Sequence, residues 1–295
     1  MSKIRNKAEF DPSTSLNNSN LFINGDMSVW QRGTTFTGLT GSVYTADRWL
    51  LTSSGDTASV AKGDPFAIAP VESSYMLINP SVHNGNLGIE QRLEDWWNFN
   101  EEVVTLSILV HTDADSASFD IYHGMSGNFE WLGADQTVTS GQGWKRLEWT
   151  FTTKNVTSSP DFYSFSIRRT DTGIEPYRFT EVKLEYGTFA TPFVAEDPAT
   201  NLEKCHRYYR NVKTGGNTMY AAVYSDSDIT TANKTLSIPY FGMREPVTVK
   251  NLAWHAGNSP NSNNASGGVW RFFWTDSGNS ARGIVTLTFD SEFNP

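Results

Sequence analysis

An all-β fold is what this 295-residue sequence predicts, on three observations. Apolar side chains recur at every second position: Val104, Leu106, Ile108 and Val110 in one segment, Lys145, Leu147, Trp149, Phe151 and Thr153 in another, Tyr163, Phe165 and Ile167 in a third. Side chains alternate across a strand, so each segment can bury one face and wet the other. The segments are short and punctuated by Gly, Asn, Asp, Ser and Pro, which is turn chemistry. Aromatics make up 13% of the chain, ten of them Trp, and supply core area that a hydrophobic content of 38% alone would not.

Taken in order, residues 1–20 are polar, with Ser13-Thr14-Ser15 and Asn17-Asn18-Ser19-Asn20 clusters, and read as a flexible attachment arm. Order is expected from Leu21, where Leu21-Phe22-Ile23-Asn24-Gly25-Asp26 reads as a strand entering a turn. Strands are then expected near 48–52, 57–61, 75–78 and 88–93, with clearer ones at 103–111, 117–123, 144–153, 162–169 and 177–186. Nine or ten strands between residues 21 and 197 fit a two-sheet jelly-roll β-sandwich. Pro192 and Pro198 lead into one linking helix. Thr200-Asn201-Leu202-Glu203 matches a capping box, Leu202, Cys205, Tyr209 and Val212 share a face, and Gly215-Gly216 supplies a stop. The alternation returns at 219–225, 235–240, 247–254, 268–274 and 284–289, so residues 198–295 read as the linking helix plus a second, smaller β-sandwich-like domain. The Asn- and Ser-rich stretch 257–268 reads as a long exposed loop.

Charge and composition exclude several classes. The net charge is −9, unevenly spread: residues 1–197 hold 14 Lys and Arg against 25 Asp and Glu, residues 198–295 hold 9 against 7. Neither part has the dense basic stripe of a nucleic-acid binder. No apolar run approaches the roughly 18 residues of a membrane span, so membrane insertion is not expected. The N-terminus carries Lys3, Arg5 and Lys7 with no apolar stretch behind them, unlike a secretory signal. Cys205 is the only cysteine, which excludes an intrachain disulfide framework and implies folding in a reducing cytoplasm; it is read as a small buried hydrophobe.

Several segments together resemble one family. Asn20-Leu21-Phe22-Ile23-Asn24-Gly25-Asp26-Met27-Ser28-Val29-Trp30-Gln31-Arg32-Gly33 is similar to the start of a domain that recurs in bacteriophage and prophage tail fibres. Tyr44-Thr45-Ala46-Asp47-Arg48-Trp49 resembles its second signature, and 183–193 its terminal strand. Glu203-Lys204-Cys205-His206-Arg207-Tyr208-Tyr209 resembles the helix that follows, and 238–246 and 289–292 echo its distal region. The resemblance implies a virion protein of the fibre type, with a carbohydrate-binding-module-like jelly roll and a distal β domain. It also implies a homotrimer that contacts other virion proteins through its N-terminal arm and host surface glycan elsewhere. The chain departs from a full fibre in lacking a long repetitive shaft.

Enzyme machinery is not evident. There is no nucleophile elbow, no zinc-protease motif and no phosphate-cradling Gly-rich loop, and the five histidines show no metal-ligand spacing. Glu94-Asp95, Glu101-Glu102 and Asp113/Asp115 are close in sequence but each is satisfied as a solvated turn, so no catalytic residue and no cofactor is assigned. Sugar binding uses a flat aromatic face flanked by amide and carboxylate groups. Trp96 and Trp97, after Glu94-Asp95, and Trp131, beside Asn128 and Glu130, are platform candidates; core or interface filling is the preferred alternative at each. Trp49, Trp144 and Trp149 read as core. In the distal domain Trp254 and His255 lead into the loop carrying Asn258, Asn261 and Asn263, the candidate recognition tip, while Trp270, Phe272 and Trp274 share one strand face and Val269, Arg271 and Phe273 the other, as at a trimer axis. Asp26, Asp47 and Asp64 could offer oxygens to a cation, but Asx-type capping of turns is preferred and no metal is assigned. The expected function is adsorption to host glycan without catalysis. A head decoration or spacer is the alternative, and a polysaccharide-degrading tailspike the third.

Overall fold

The computed structural model describes residues 20–209, except 66, 69–71, 95, 126–127 and 157–160, and from 210 onward the backbone of the strands. Of the arm expected over residues 1–20, residues 1–19 lie outside them; Asn20 is part of the sandwich, its amide donating to the Val182 carbonyl at 2.7 Å and accepting from the Leu184 N–H at 3.0 Å. The chain divides into two compact units, with the boundary between Asp197 and Pro198.

The first unit is built from β1 (Thr35–Thr40), β2 (Val43–Tyr44), β3 (Leu50–Thr52), β4 (Thr57–Gly63), β5 (Tyr75–Val82), β6 (Leu87–Leu93), β7 (Val103–Thr112), β8 (Ala117–Met125), β9 (Asn128–Trp131), β10 (Gln136–Val138), β11 (Lys145–Thr152), β12 (Tyr163–Arg169) and β13 (Tyr177–Tyr186). One sheet runs β1-β4-β5-β13-β7-β11; the other runs β10-β8-β12-β6-β3-β2, with β9 paired to β8. From β6 to β13 the chain repeatedly crosses between the two sheets, and every pairing in the unit is antiparallel. That crossing pattern is the jelly-roll sandwich predicted from the strand count.

Alternation explains the core. Val104, Leu106, Ile108 and Val110 of β7, Leu147, Trp149 and Phe151 of β11, and Tyr163, Phe165 and Ile167 of β12 all face inward in one buried cluster. In β13 the parity breaks once. Glu181 takes a left-handed backbone at φ 48° and the register shifts between Thr180 and Lys183, so Phe179 and Val182 both reach the core. Arg146 holds the bulge through an ion pair with Glu181 and a bond to its carbonyl at 3.3 Å.

Three expectations are corrected. Residues 21–26 form no strand: they are irregular backbone tied to both sheets, described in the Discussion. Trp144 is not core but half-buried, packing edge-on against Tyr75 at 5.7 Å and His111 at 5.4 Å while its indole N–H donates to the Ile68 carbonyl at 3.0 Å. Trp49 and Trp149 are core as expected, 0% and 2% exposed. β1, β2, β9 and β10 are not anticipated, because segments as short or Gly-broken as these carry no clear period.

In the second unit, α1 (Pro198–His206) starts earlier and ends sooner than the sequence suggested. Proline is pre-organised for a first helical position, so Pro198 opens the helix and Thr200 lies inside it instead of capping it. The chain then turns into β14 (Tyr209–Lys213), whose pairing with β20 (Val285–Asp290) replaces the last predicted turn of helix. Cys205 is buried as expected; Leu202 is exposed, and Asn201 takes the buried place beside it. The remaining strands are β15 (Tyr224–Ser225), β16 (Asn233–Pro239), β17 (Thr248–Trp254), β18 (Ser262–Ser266) and β19 (Val269–Thr275). They form a three-stranded sheet, β14-β20-β17, and a four-stranded sheet, β15-β16-β19-β18. The predicted 257–268 loop is therefore interrupted. Ser262–Ser266 pairs with Val269–Phe273 as a hairpin, because cross-strand pairing overrides the weak strand preference of Asn and Ser.

Candidate functional site

The outer face of the second sheet gathers aromatic, guanidinium and carboxylate groups from separate strands. Register places them side by side: Trp131 on β9 stands opposite Tyr122 on β8, Tyr122 opposite Ser166 on β12, Ser166 opposite Glu90 on β6, Glu90 opposite Leu50 on β3, and Leu50 opposite Tyr44 on β2. Directly opposed residues share a face, so this row crosses the whole sheet.

At one end of the row the rings cluster. Phe129 stacks on Tyr122 with centroids 5.4 Å apart and planes at 24°, and Trp131 leans against Tyr122 at 5.0 Å and 47°. Trp131 is 41% exposed and presents an aromatic surface outward.

The centre of the row is charged. Ser166 is small and fully buried, and leaves room for Arg168, two residues along the strand, to fold back over it. Arg168 donates from Nε to Ser166 Oγ at 3.0 Å and from a terminal nitrogen to Asn86 Oδ1 at 2.8 Å. Its guanidinium covers the Tyr122 ring at 4.4 Å and stands 5.7 Å from the Trp131 ring. Gly88, opposite Arg168, is needed there: a Cβ would sit 2.8 Å from Arg168 Cγ and 2.1 Å from the Ile167 carbonyl oxygen. Glu90, 4% exposed, is held by Arg92 Nε at 2.7 Å, while the second nitrogen of Arg168 lies 3.9 Å from its other oxygen. Burial pulls the Arg168 pKa down from its ordinary value and Glu90 opposes that shift. Arg92 in turn lies over the Phe162 ring at 4.5 Å.

Such a surface can stack against the apolar face of a ring and offer hydrogen bonds at its edge. Of the residues singled out from sequence, Trp131 belongs to it. Trp96 and Trp97 do not: they form a single turn of 3-10 helix, Trp96–Phe99, after β6. There they meet edge-to-face at 5.6 Å, with Trp96 packed on the core and Trp97 50% exposed beside the Tyr186–Asn98 hydrogen bond. Trp254 ends β17 opposite Val285, and Asn263 lies on β18 opposite Phe272; His255, Asn258 and Asn261 lie outside the described residues. Tyr122, Phe129, Arg168, Glu90 and Arg92 were missed. The signal available was an aromatic and a guanidinium at outward positions of two alternating strands, 117–123 and 162–169.

Of the three acidic residues considered for a cation, Asp26 and Asp47 are engaged within the fold, and the same holds for Asp113 of the carboxylate pairs. Asp26 Oδ1 accepts from the backbone N–H and hydroxyl of Ser28 at 3.3 and 2.9 Å, an Asx turn. Asp47, fully buried, accepts from the Gln31 backbone at 3.2 Å and pairs with Arg32 at 3.3 Å. Asp64 is exposed. Asp113 is taken up by the two terminal nitrogens of Arg178 at 2.7 and 3.0 Å. Among the described residues no group of three His, Cys, Asp or Glu could hold a metal ion, and no helix among them is long and apolar enough to cross a membrane.

No protein-family model matches the chain, and no curated protein matches it in sequence. Solved structures similar to it include a xylan-binding domain from Paenibacillus barcinonensis, at 12% identity over 48% of this chain and 92% of that one with a TM-score of 0.38. Another xylan-binding domain, of carbohydrate-binding family 22, matches at 14% identity over 51% and 99% with a TM-score of 0.38. A cyclase from Fischerella sp. matches at 12% identity over 56% and 96% with a TM-score of 0.37. Likeness at this level says nothing of what the chain binds.

Proposed function

We propose that this chain is a non-catalytic glycan-binding protein, a fibre or appendage of a phage virion that attaches the particle to glycan on the host surface. The observation that carries the glycan reading is the exposed Trp131 indole, braced by Tyr122 and Phe129 and edged by Arg168, Asn86 and Glu90. The virion reading is supported by the tail-fibre resemblance of the segments beginning at Asn20, Tyr44 and Lys183. Residues in the first two do scaffold work: Asn24 and Asp47 hold backbone and turn geometry, and Trp49 fills the core. A scaffold specified by buried motif residues leaves exposed positions such as Trp131 to set the ligand. In this reading the arm before Asn20 docks on other virion proteins. Trimerisation multiplies sugar contacts of about millimolar strength, roughly −4 kcal/mol each, because later engagements become intramolecular. The tip carrying Trp254, His255, Asn258, Asn261 and Asn263 would add a second contact.

One observation favours a spacer or decoration role as the second reading: Trp97, Val103 and Tyr186 are 50%, 40% and 39% exposed, and the hydrogen bonds of Tyr186 to Asn98 and Gly187 to Val103 draw them together at one end of the sandwich. Exposed apolar groups of that size suit a protein interface.

Affinity electrophoresis through gels containing soluble polysaccharides, neutral and acidic, separates the two. Retardation of the chain that Trp131→Ala abolishes is the expected result. Migration unchanged in every gel, by a correctly folded oligomer, would leave the spacer reading in the lead.

A further inference from the structure

Resting on that reading of the Trp131 face, we infer that its ligand is an acidic glycan, with the carboxylate of a uronic acid residue received by Arg168. The first unit carries 25 acidic residues against 14 basic ones, so its surface as a whole does not attract an anion and any recognition of one must be local. What matters is how Arg168 is satisfied. Its one ion pair is with Glu90, at 3.9 Å, and Glu90 is held closer, at 2.7 Å, by Arg92. Its remaining partners, Ser166 Oγ and Asn86 Oδ1, are neutral. The guanidinium is thus hydrogen-bonded by neutral groups and braced by rings, while its charge partners, Glu90 at 3.9 Å and the buried Asp56, act on it without a close hydrogen-bonded pair. The neighbouring Arg169, whose side chain is fully buried, looks different: it is bonded to Asp171 through Nε at 2.9 Å and paired with it through a terminal nitrogen at 2.8 Å.

Geometry adds to the charge argument. The guanidinium plane is braced against Tyr122, and 13% of the Arg168 side chain reaches solvent beside Trp131. Arginine's planar fork matches a carboxylate through two parallel N–H···O bonds, a match that a hydroxyl or an ester cannot make with the same strength. A pyranose stacked on Trp131 therefore meets a preset receptor for a carboxylate on the same sugar or the next one.

The test compares polygalacturonate, its methyl ester, neutral xylan and dextran sulfate as probes, using the full chain in affinity electrophoresis and calorimetry. Polygalacturonate should bind about tenfold or more tightly than its methyl ester, since the two share a ring and differ in the charge. Arg168→Gln should remove that preference, and Arg168→Lys, which keeps the charge but loses the fork, should restore only part of it. Near-ultraviolet circular dichroism checks that each variant is folded. Equal binding of acid and ester, or a preference that survives Arg168→Gln, would overturn the inference while leaving glycan binding intact. Dextran sulfate bound in preference to polygalacturonate would overturn the carboxylate assignment. No binding of any probe, with Trp131→Ala silent, would remove the glycan reading itself.

Discussion

The side-chain amide of Gln91 pairs with the backbone of Ile23 as a strand would: Nε2 donates to the Ile23 carbonyl and Oε1 accepts from the Ile23 N–H, both at 2.9 Å. On its other side the same segment bonds β13, with Leu21 N–H to Leu184 O and Val182 N–H to Gly25 O at 2.9 Å. Residues 20–25 therefore bridge the two sheets, and Phe22 drives its ring between Trp49 at 5.3 Å and Phe165 at 6.0 Å, edge-on to both. Gln91 itself is fully buried.

Replacing Gln91 with Leu keeps much of the volume and strands both polar groups of Ile23. A buried donor or acceptor left unmade costs about 1–3 kcal/mol, so Gln91→Leu should lower stability by about 2–5 kcal/mol. Urea unfolding followed by tryptophan fluorescence reads the loss as a lower midpoint. An unchanged midpoint would mean that the bridge contributes nothing.

Gly25 is the close approach that lets this segment dock. A Cβ there would lie 2.3 Å from the Val182 carbonyl oxygen, which is backbone and cannot give way, and 2.6 Å from the Asn20 amide. Gly25→Ala should detach residues 20–25 from β13 and cost about 2 kcal/mol or more. Hydrogen exchange should then show faster loss of the Val182 and Leu184 amides. Unchanged protection would show that the backbone accommodates the methyl group.

How far the sequence announces this molecule depends on whether a feature is local. β11 is legible because burial alternates along it, and β7 and β12, covered on both faces, because apolar residues on the core side still alternate largely with Ser, Thr or Arg on the other. Asn24 and Gly25 are visible as motif residues, yet why they are needed appears only with Asp47 and Val182 in place, respectively 23 and 157 positions away. The site is harder still. Tyr122, Arg168 and Glu90 come from three strands and meet only through register, which no single segment encodes. Trp131 stood out because a tryptophan among polar neighbours is conspicuous by itself. The helix was overextended because Tyr209 fits a helical face and a strand equally well; its pairing with Asp290 decided the matter.

Two tryptophans that look alike in sequence should respond oppositely. Trp149 is 2% exposed, with its indole N–H bonded to the Ala134 carbonyl at 2.8 Å, so Trp149→Ala should cost about 3–5 kcal/mol. Trp131→Ala, on the exposed surface, should change stability by less than about 1 kcal/mol and weaken glycan binding about tenfold or more. Thermal melts beside binding isotherms check both. A Trp131→Ala variant that melts as early as Trp149→Ala would mark that indole as structural.

Stability should fall with acidification because of His123. The Lys154 backbone N–H donates to Tyr163 Oη at 2.9 Å, the same phenol oxygen lies 3.0 Å from His123 Nδ1, and the remaining ring nitrogen faces Glu130 at 3.6 Å. The ring is buried and packed 4.6 Å from the Phe151 ring, a setting that disfavours the charged form. Burial pushes its pKa down to about 4, with Glu130 opposing and Lys154 adding to the shift. The unfolded chain takes up a proton near the ordinary value of 6.5 and the folded chain does not, so the unfolded state binds more protons between those limits. The stabilisation is fully present above about pH 6.5 and is lost as pH falls toward 4, in total on the order of 3 kcal/mol. His123→Phe keeps a stacked ring and cannot titrate, so its unfolding free energy should lack that slope over the same window. Urea unfolding at half-unit steps of pH measures both curves. If the wild-type curve runs parallel to the variant's, His123 ionises in the folded protein as easily as in the unfolded chain, and the ring packing around it does not exclude the charge.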